Sequence, residues 1–170
     1  MKVLGIDPGT AVLGYGVVES GSSPHFKLIE CGILTTRPRD PLPSRLRSLY
    51  DGINALLARH IPDTMAVESA FYGRNVRTAV VLSHARGVIL LAAELGGVPV
   101  AEYSPALIKK TVVGRGAALK AQVGYMVAQH LRLKAAPSPG DAADGVAVGL
   151  THLLIATRRS ALTRQLASRG

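Results

Sequence analysis

The chain has 170 residues, 48% of them hydrophobic, and its 20 Lys and Arg against 11 Asp and Glu give a formal net charge of +9. That length suffices for one core, and no apolar run reaches the ~18 uninterrupted residues of a membrane span, so a cytoplasmic protein with no membrane association is expected. Cys31 is the only cysteine, which excludes an intrachain disulfide and any thiolate metal cluster and leaves it as a small buried strand residue.

The start, "MKVLGIDPGT", passes from one lysine straight into a short apolar run and a turn, without the long apolar region of a signal peptide. "VLGID" reads as a strand closed by Pro8-Gly9. "LGYGVVES" follows, and "HFKLIECGILTT" alternates polar and apolar residues after the turn at Gly21 to Pro24. Short connections make these an antiparallel meander. The period then changes: Leu46, Leu49, Ile53, Leu56 and Leu57 recur at helical spacing, which predicts an amphipathic helix over Leu42 to His60. "TMAVE" after Pro62 is a buried strand, Asn75 to Leu95 a long helix ended by Gly96-Gly97, and "VPVAEY" another strand. Two strands joined through a helix are parallel with a right-handed crossover. Helices are expected over Pro105 to Val112, Leu119 to Leu131 and Asp141 to Thr157. The fold class is therefore α/β, with a five-stranded mixed sheet flanked by helices. The stretch 158–170 lacks a clear apolar face and reads as a basic, mobile tail on a 1–157 domain.

Charge is distributed unevenly. No acid lies between Glu102 and Asp141, while Lys109, Lys110, Arg115, Lys120, Arg132 and Lys134 fall inside that window. The tail adds Arg158, Arg159, Arg164 and Arg169. Basic surface of this kind is the footprint of a polyanion, and nucleic acid is the commonest one.

Four of the acids stand at element ends. Asp7 closes the first strand and Glu68 the fourth; if those strands are parallel neighbours, both carboxylates lie at the carboxyl edge of the sheet, where open α/β folds place their sites. Asp141 and Asp144, three apart, share one helix face in "DAADGVAVGLTH". Taken singly, Asp7 also suits an Asp-Pro-Gly turn, and Asp141 and Asp144 suit an N-cap with its capping-box acid. Glu68 has no such use. Clustered carboxylates with no His or Cys beside them suit a hard cation such as Mg²⁺, and two ions about 3.5 to 4 Å apart would clamp the attacking and leaving oxygens of a phosphodiester.

Other residues are open to weighing. Phe71 and Tyr72 are two of only seven aromatics, the chain having two Phe and five Tyr, and a loop position suits stacking on an unpaired base. Lys120 opens a helix whose positive end would suit a phosphate. His152 lies three turns from Asp141, roughly 16 Å along the axis, and reads as a packed histidine. Gly145 and Gly149 permit close approach of their helix to the sheet.

The segments "LGIDPGTAVLGYGVV", "VESAFYGRN", "LSHARGV", "IKKTVVGRGAALKAQV" and "DAADGVAVGLTH", in this order, resemble the RuvC-type Holliday-junction resolvases over nearly the whole chain up to about residue 157. The resemblance implies a ribonuclease H-like fold and a homodimer that nicks four-way DNA junctions symmetrically in recombination and repair. It implies dependence on Mg²⁺, with Mn²⁺ able to substitute, and ends bearing 5'-phosphate and 3'-hydroxyl. It also implies work alongside a junction-binding protein and a branch-migration helicase. The metal carboxylates of such enzymes fall on Asp7, Glu68, Asp141 and Asp144; some members have His where this chain has Asp141. Phe71 falls on the aromatic that stacks at the opened junction centre, and Lys109 and Lys120 on basic residues that contact DNA and support the chemistry. Tyr72, Arg74, Asn75, Lys110 and Arg115 are expected as further DNA contacts.

Two other classes fit less. An actin-like ATPase or sugar kinase also reads "GIDxGT" but needs a second similar domain. A DNA-binding protein without catalysis gains nothing from four carboxylates.

Overall fold

The computed structural model describes residues 1–21, 26–69 and 76–167, and the side chains of the long second helix from Thr78 onward. Strands β1 (Lys2–Asp7), β2 (Val12–Ser20), β3 (Phe26–Thr35), β4 (Thr64–Glu68) and β5 (Val100–Tyr103) form one sheet in the order β3-β2-β1-β4-β5. The meander β1-β2-β3 is antiparallel, and β4 and β5 add in parallel on the other side of β1. Helices α1 (Leu42–His60) and α2 (Val76–Leu95) cover one face; α3 (Pro105–Val113), α4 (Lys120–Leu131) and α5 (Gly140–Ala167) cover the other.

Alternation along the central strand divides the core in two. Leu4 and Ile6 pack with Leu49, Ile53 and Leu56 of α1 and Ile89 and Ala92 of α2. Val3 points the other way, into Ile108, Val123, Val127, Val146 and Leu150 of the three later helices. Each fully buried Leu or Ile contributes roughly 1.5–3 kcal/mol, so both faces of the sheet contribute to holding it rigid.

Glycines allow the last helix to approach the sheet closely. A Cβ on Gly5 of β1 would overlap the backbone of Gly145 and Gly149, and one on Gly14 of β2 would overlap the Asp141 carbonyl. The close approach expected from Gly145 and Gly149 is thus reciprocated by glycines of the sheet. It lays the first turn of α5 directly on the ends of β1 and β2.

Two expectations are corrected. The last helix does not stop at Thr157 but continues to Ala167. Residues 158–167 lack an apolar face, with Leu162 and Leu166 exposed, yet Arg, Ala, Leu and Gln are good helix formers and an existing helix needs no new nucleus. Asp141 is not the N-cap: Gly140 is already helical, and the Pro139 carbonyl accepts the N–H groups of Ala142 and Ala143. Its carboxylate is thereby left for another partner. On α2, Ile89 is 0% exposed in the core, whereas Val80, Leu91 and Leu95 are exposed.

By length and composition the window Thr78–Leu95 of α2 could cross a membrane, with a mean hydropathy of 1.5 over 18 residues. Its inward residues Ala85, Ile89, Ala92 and Ala93 close the core instead, and Arg86 within it is ion-paired with Glu102. The remaining apolar residues form a stripe on the outer face.

Candidate active site

Parallel pairing of β1 with β4, in register Ile6 to Val67, brings Asp7 and Glu68 out side by side at the carboxyl edge. The first turn of α5, seated on the glycines, presents Asp141 and Asp144 to the same place. Asp7, Asp141 and Asp144 each offer an oxygen within 4.8 Å of the others. Glu68 joins them across a cavity of about 220 Å³ lined by Asp7, Glu68, Asp144, Lys109 and Lys120, with Pro105, Ile108, Val123 and Ala147 as its apolar wall. The first turns of α3, α4 and α5 therefore meet at one cleft, where the positive ends of their helix dipoles favour an anion.

Lys120 is the counter-charge. Its ammonium lies 2.6 Å from Asp144 and 3.3 Å from Asp141, and the bond to Asp144 pushes its own pKa up. Two cations, Lys120 and Lys109, among four carboxylates leave the balance unfavourable. Burial, then the charges of Glu68 and Asp144, pushes Asp7 up to about 7. Burial and the Asp144 charge raise Glu68 against the opposing pull of Lys109 and Lys120. Asp144 is raised by burial and Asp141 despite its bond to Lys120. Groups held together in their costly ionised form, all with oxygen donors, fit a hard divalent cation, which would remove the repulsion and lower all three values.

Of the other expected residues, Lys109 is half-buried on α3 at the cavity, Lys110 follows on the exposed side, and Arg115 is exposed in the α3–α4 connection. Phe71, Tyr72, Arg74 and Asn75 lie outside the described residues. His152 is a packed histidine as expected: its Nδ1 is 2.9 Å from the Tyr103 hydroxyl, and burial lowers its pKa. Cys31 is half-buried on β3, where burial raises its thiol pKa. The sheet glycines Gly5, Gly14 and Gly16 were not anticipated, although glycines inside an apolar strand pattern are the usual sign of a close backbone approach.

A mixed five-stranded sheet with a carboxylate cluster at its edge, beside lysines and helix N-termini, defines a metal-dependent nuclease of ribonuclease H-like fold. The family described as "Crossover junction endodeoxyribonuclease RuvC" matches residues 3–152. A protein of that name from Chloroflexus aurantiacus is 48% identical over 89% of this chain and 92% of its own, and one from Alkalilimnicola ehrlichii is 48% identical over 96% and 97%. Among solved structures, Thermus thermophilus RuvC superposes with a TM-score of 0.85 at 37% identity, covering 93% of this chain and 96% of that one. The same protein in complex with Holliday junction substrate gives a TM-score of 0.86 over 92% and 94%. A yeast mitochondrial Holliday junction resolvase shares the fold, with a TM-score of 0.64 at 13% identity. The chain belongs to the RuvC family of crossover junction endodeoxyribonucleases.

Proposed function

We propose that this chain resolves four-way DNA junctions as a homodimer, placing one nick in each of two strands of like polarity with Asp7, Glu68, Asp141 and Asp144 holding two Mg²⁺ ions. The observation that carries this reading is the cluster of three carboxylates within 4.8 Å of one another in a chain 48% identical to a crossover junction endodeoxyribonuclease. Mn²⁺ has the same preference for oxygen donors and substitutes. When bound, the ions supply a hydroxide-like water and a clamp for the charge that develops on the phosphodiester.

The chain's own groups do the remaining work. Lys109 and Lys120 on the cavity wall draw the scissile phosphate in, and the N-terminal ends of α3 and α4 favour its charge. Lys110 and Arg115 meet neighbouring phosphates and set register without reading sequence. Arg74 and Asn75 are further DNA contacts, and Phe71, next to Tyr72 in sequence, stacks on a base at the opened centre of the junction; truncation of Phe71 to Ala removes roughly 1–3 kcal/mol of stacking. Cleavage leaves 5'-phosphate and 3'-hydroxyl ends. A junction-binding protein and a branch-migration helicase bring the junction to the enzyme.

The outer face of α2 supports the dimer. Val80, Leu91 and Leu95 are 50%, 52% and 66% exposed, and at Gly87 between them a Cβ would meet nothing within 4 Å. Apolar side chains around a small residue suit a second copy of the same helix, and two-fold symmetry makes the two sites equivalent. Incubating the protein with a mobile four-way junction and Mg²⁺, with linear duplex as control, tests the reading. Paired nicks in opposed strands of the junction alone are expected; random nicking of both substrates, or none, contradicts it.

A further inference from the structure

The backbone of Glu68 has an unusual position at the end of its ladder. Met65 N–H donates to Pro99 at 2.9 Å and Ser69 N–H to Tyr103 at 2.8 Å, so the odd-numbered residues of β4 bond β5. Glu68 therefore turns its own backbone groups towards β1. In the β1–β4 register, Gly5 pairs with Ala66 and Ile6 with Val67, and two further steps along β1 reach Pro8. The N–H that would continue the ladder to the Glu68 carbonyl belongs to Pro8, and proline has none. A half-buried carbonyl without a donor is costly.

Arg86 supplies the donor. Reaching over from α2, its Nη1 donates to the Glu68 carbonyl at 3.3 Å, while Nη2 pairs with the carboxylate of Glu102 on β5. Only 17% of the Arg86 side chain is exposed. The planar guanidinium donates in two fixed directions, so holding Glu102 orients the bond to Glu68. We propose that Arg86 is a positioning residue: its guanidinium occupies the ladder place that Pro8 leaves without a donor, and so fixes the backbone from which the Glu68 carboxylate reaches into the cavity. Arg86 does not line the cavity, so it acts through Glu68. Because it stands on α2, whose outer face is the proposed dimer surface, it also ties that helix to the site.

This inference rests on the function proposed above, and the test separates the two. Full-length wild type, Arg86→Gln, Arg86→Lys and Glu102→Gln are compared in single-turnover cleavage of a bound four-way junction, junction affinity without metal, Mn²⁺ affinity without DNA, and thermal melting. Misplacement of a reacting group by about 1 Å costs up to ~10²-fold. Arg86→Gln is therefore expected to cut the single-turnover rate by about 10- to 100-fold and to weaken Mn²⁺ binding, with junction affinity unchanged. Arg86→Lys, which keeps one donor, loses less, and Glu102→Gln, which frees the guanidinium to swing, falls between wild type and Arg86→Gln. Wild-type rate and Mn²⁺ affinity in Arg86→Gln would overturn the proposal. So would equal losses in Gln and Lys variants matched by a collapse of the melting temperature, which would make Arg86 a stability residue. Failure of the wild type to cleave a junction would instead refute the functional reading itself.

Discussion

Two places that hold acids, one on β3 and one at the carboxyl edge of β1, are built on opposite principles. On β3, opposite Val17, Glu30 is one carboxylate among polar partners: it accepts from the Tyr15 hydroxyl at 2.8 Å and the Arg59 guanidinium at 2.5 Å and lies 3.1 Å from the His60 Nε2, with the Lys2 ammonium bonding the His60 carbonyl nearby. At the carboxyl edge of β1, Asp7, Glu68, Asp141 and Asp144 share a cleft with one paired lysine, and three of the four have raised pKa values. A carboxylate held by several donors at once is a structural clamp between strand and helix. Carboxylates that repel one another cost stability and persist only where a cation completes them. The donor count around an acid, more than its burial, separates the two roles.

Neutralising substitutions should therefore act in opposite ways at the two places. The largest effect is expected from Asp7→Asn, Glu68→Gln or Asp144→Asn, each lowering junction cleavage by about 10²–10³-fold or more while a gel-shift assay shows junction affinity retained. Near-normal cleavage by any variant would remove that residue from the site. Glu30→Gln should leave cleavage per folded molecule unchanged and instead lower stability by about 1–3 kcal/mol in urea titration, since it weakens three bonds at once. If Glu30→Gln abolishes cleavage in folded protein, the contrast fails.

Titration sharpens the same contrast. The Asp7 carboxyl, raised from 3.8 to about 7, holds a proton in the folded chain that the unfolded chain has released. Its contribution to stability is therefore fully present below the unfolded value and is lost as pH rises through the folded one. Metal-free wild type should melt at a lower temperature at pH 8 than at pH 5, and Asp7→Asn should flatten that difference. A steeper pH dependence in Asp7→Asn would show that the repulsion lies elsewhere. The smallest effect expected is a rise in the melting temperature of metal-free Asp7→Asn at pH 8, by the repulsion it relieves; Glu30→Gln moves the opposite way.

Much of the carboxylate cluster was legible because its signals are local. Acids after apolar runs, as at "MAVE" and "LGID", name the strand ends, and helical spacing places Asp141 and Asp144 on one face. The strand and helix at Thr64–Glu68 and Leu42–His60 have the bounds that periodicity and punctuation suggest. Long-range groups were less visible. The Glu30 clamp joins residues 15, 30, 59 and 60, and no spacing in the sequence announces it. The run of α5 past Thr157 was missed because periodicity reports a buried face, and that segment continues on propensity alone. The position of Asp141 inside the helix depended on whether Pro139 or the acid would cap, which the residue types leave open.

Calorimetric titration of Mn²⁺ into metal-free wild type, Asp7→Asn and Glu30→Gln, without DNA, tests most directly whether the crowded carboxylates form a cation site. Saturable binding is expected in wild type and Glu30→Gln, strongly weakened in Asp7→Asn. Equal binding by wild type and Asp7→Asn, or none by wild type, would contradict it.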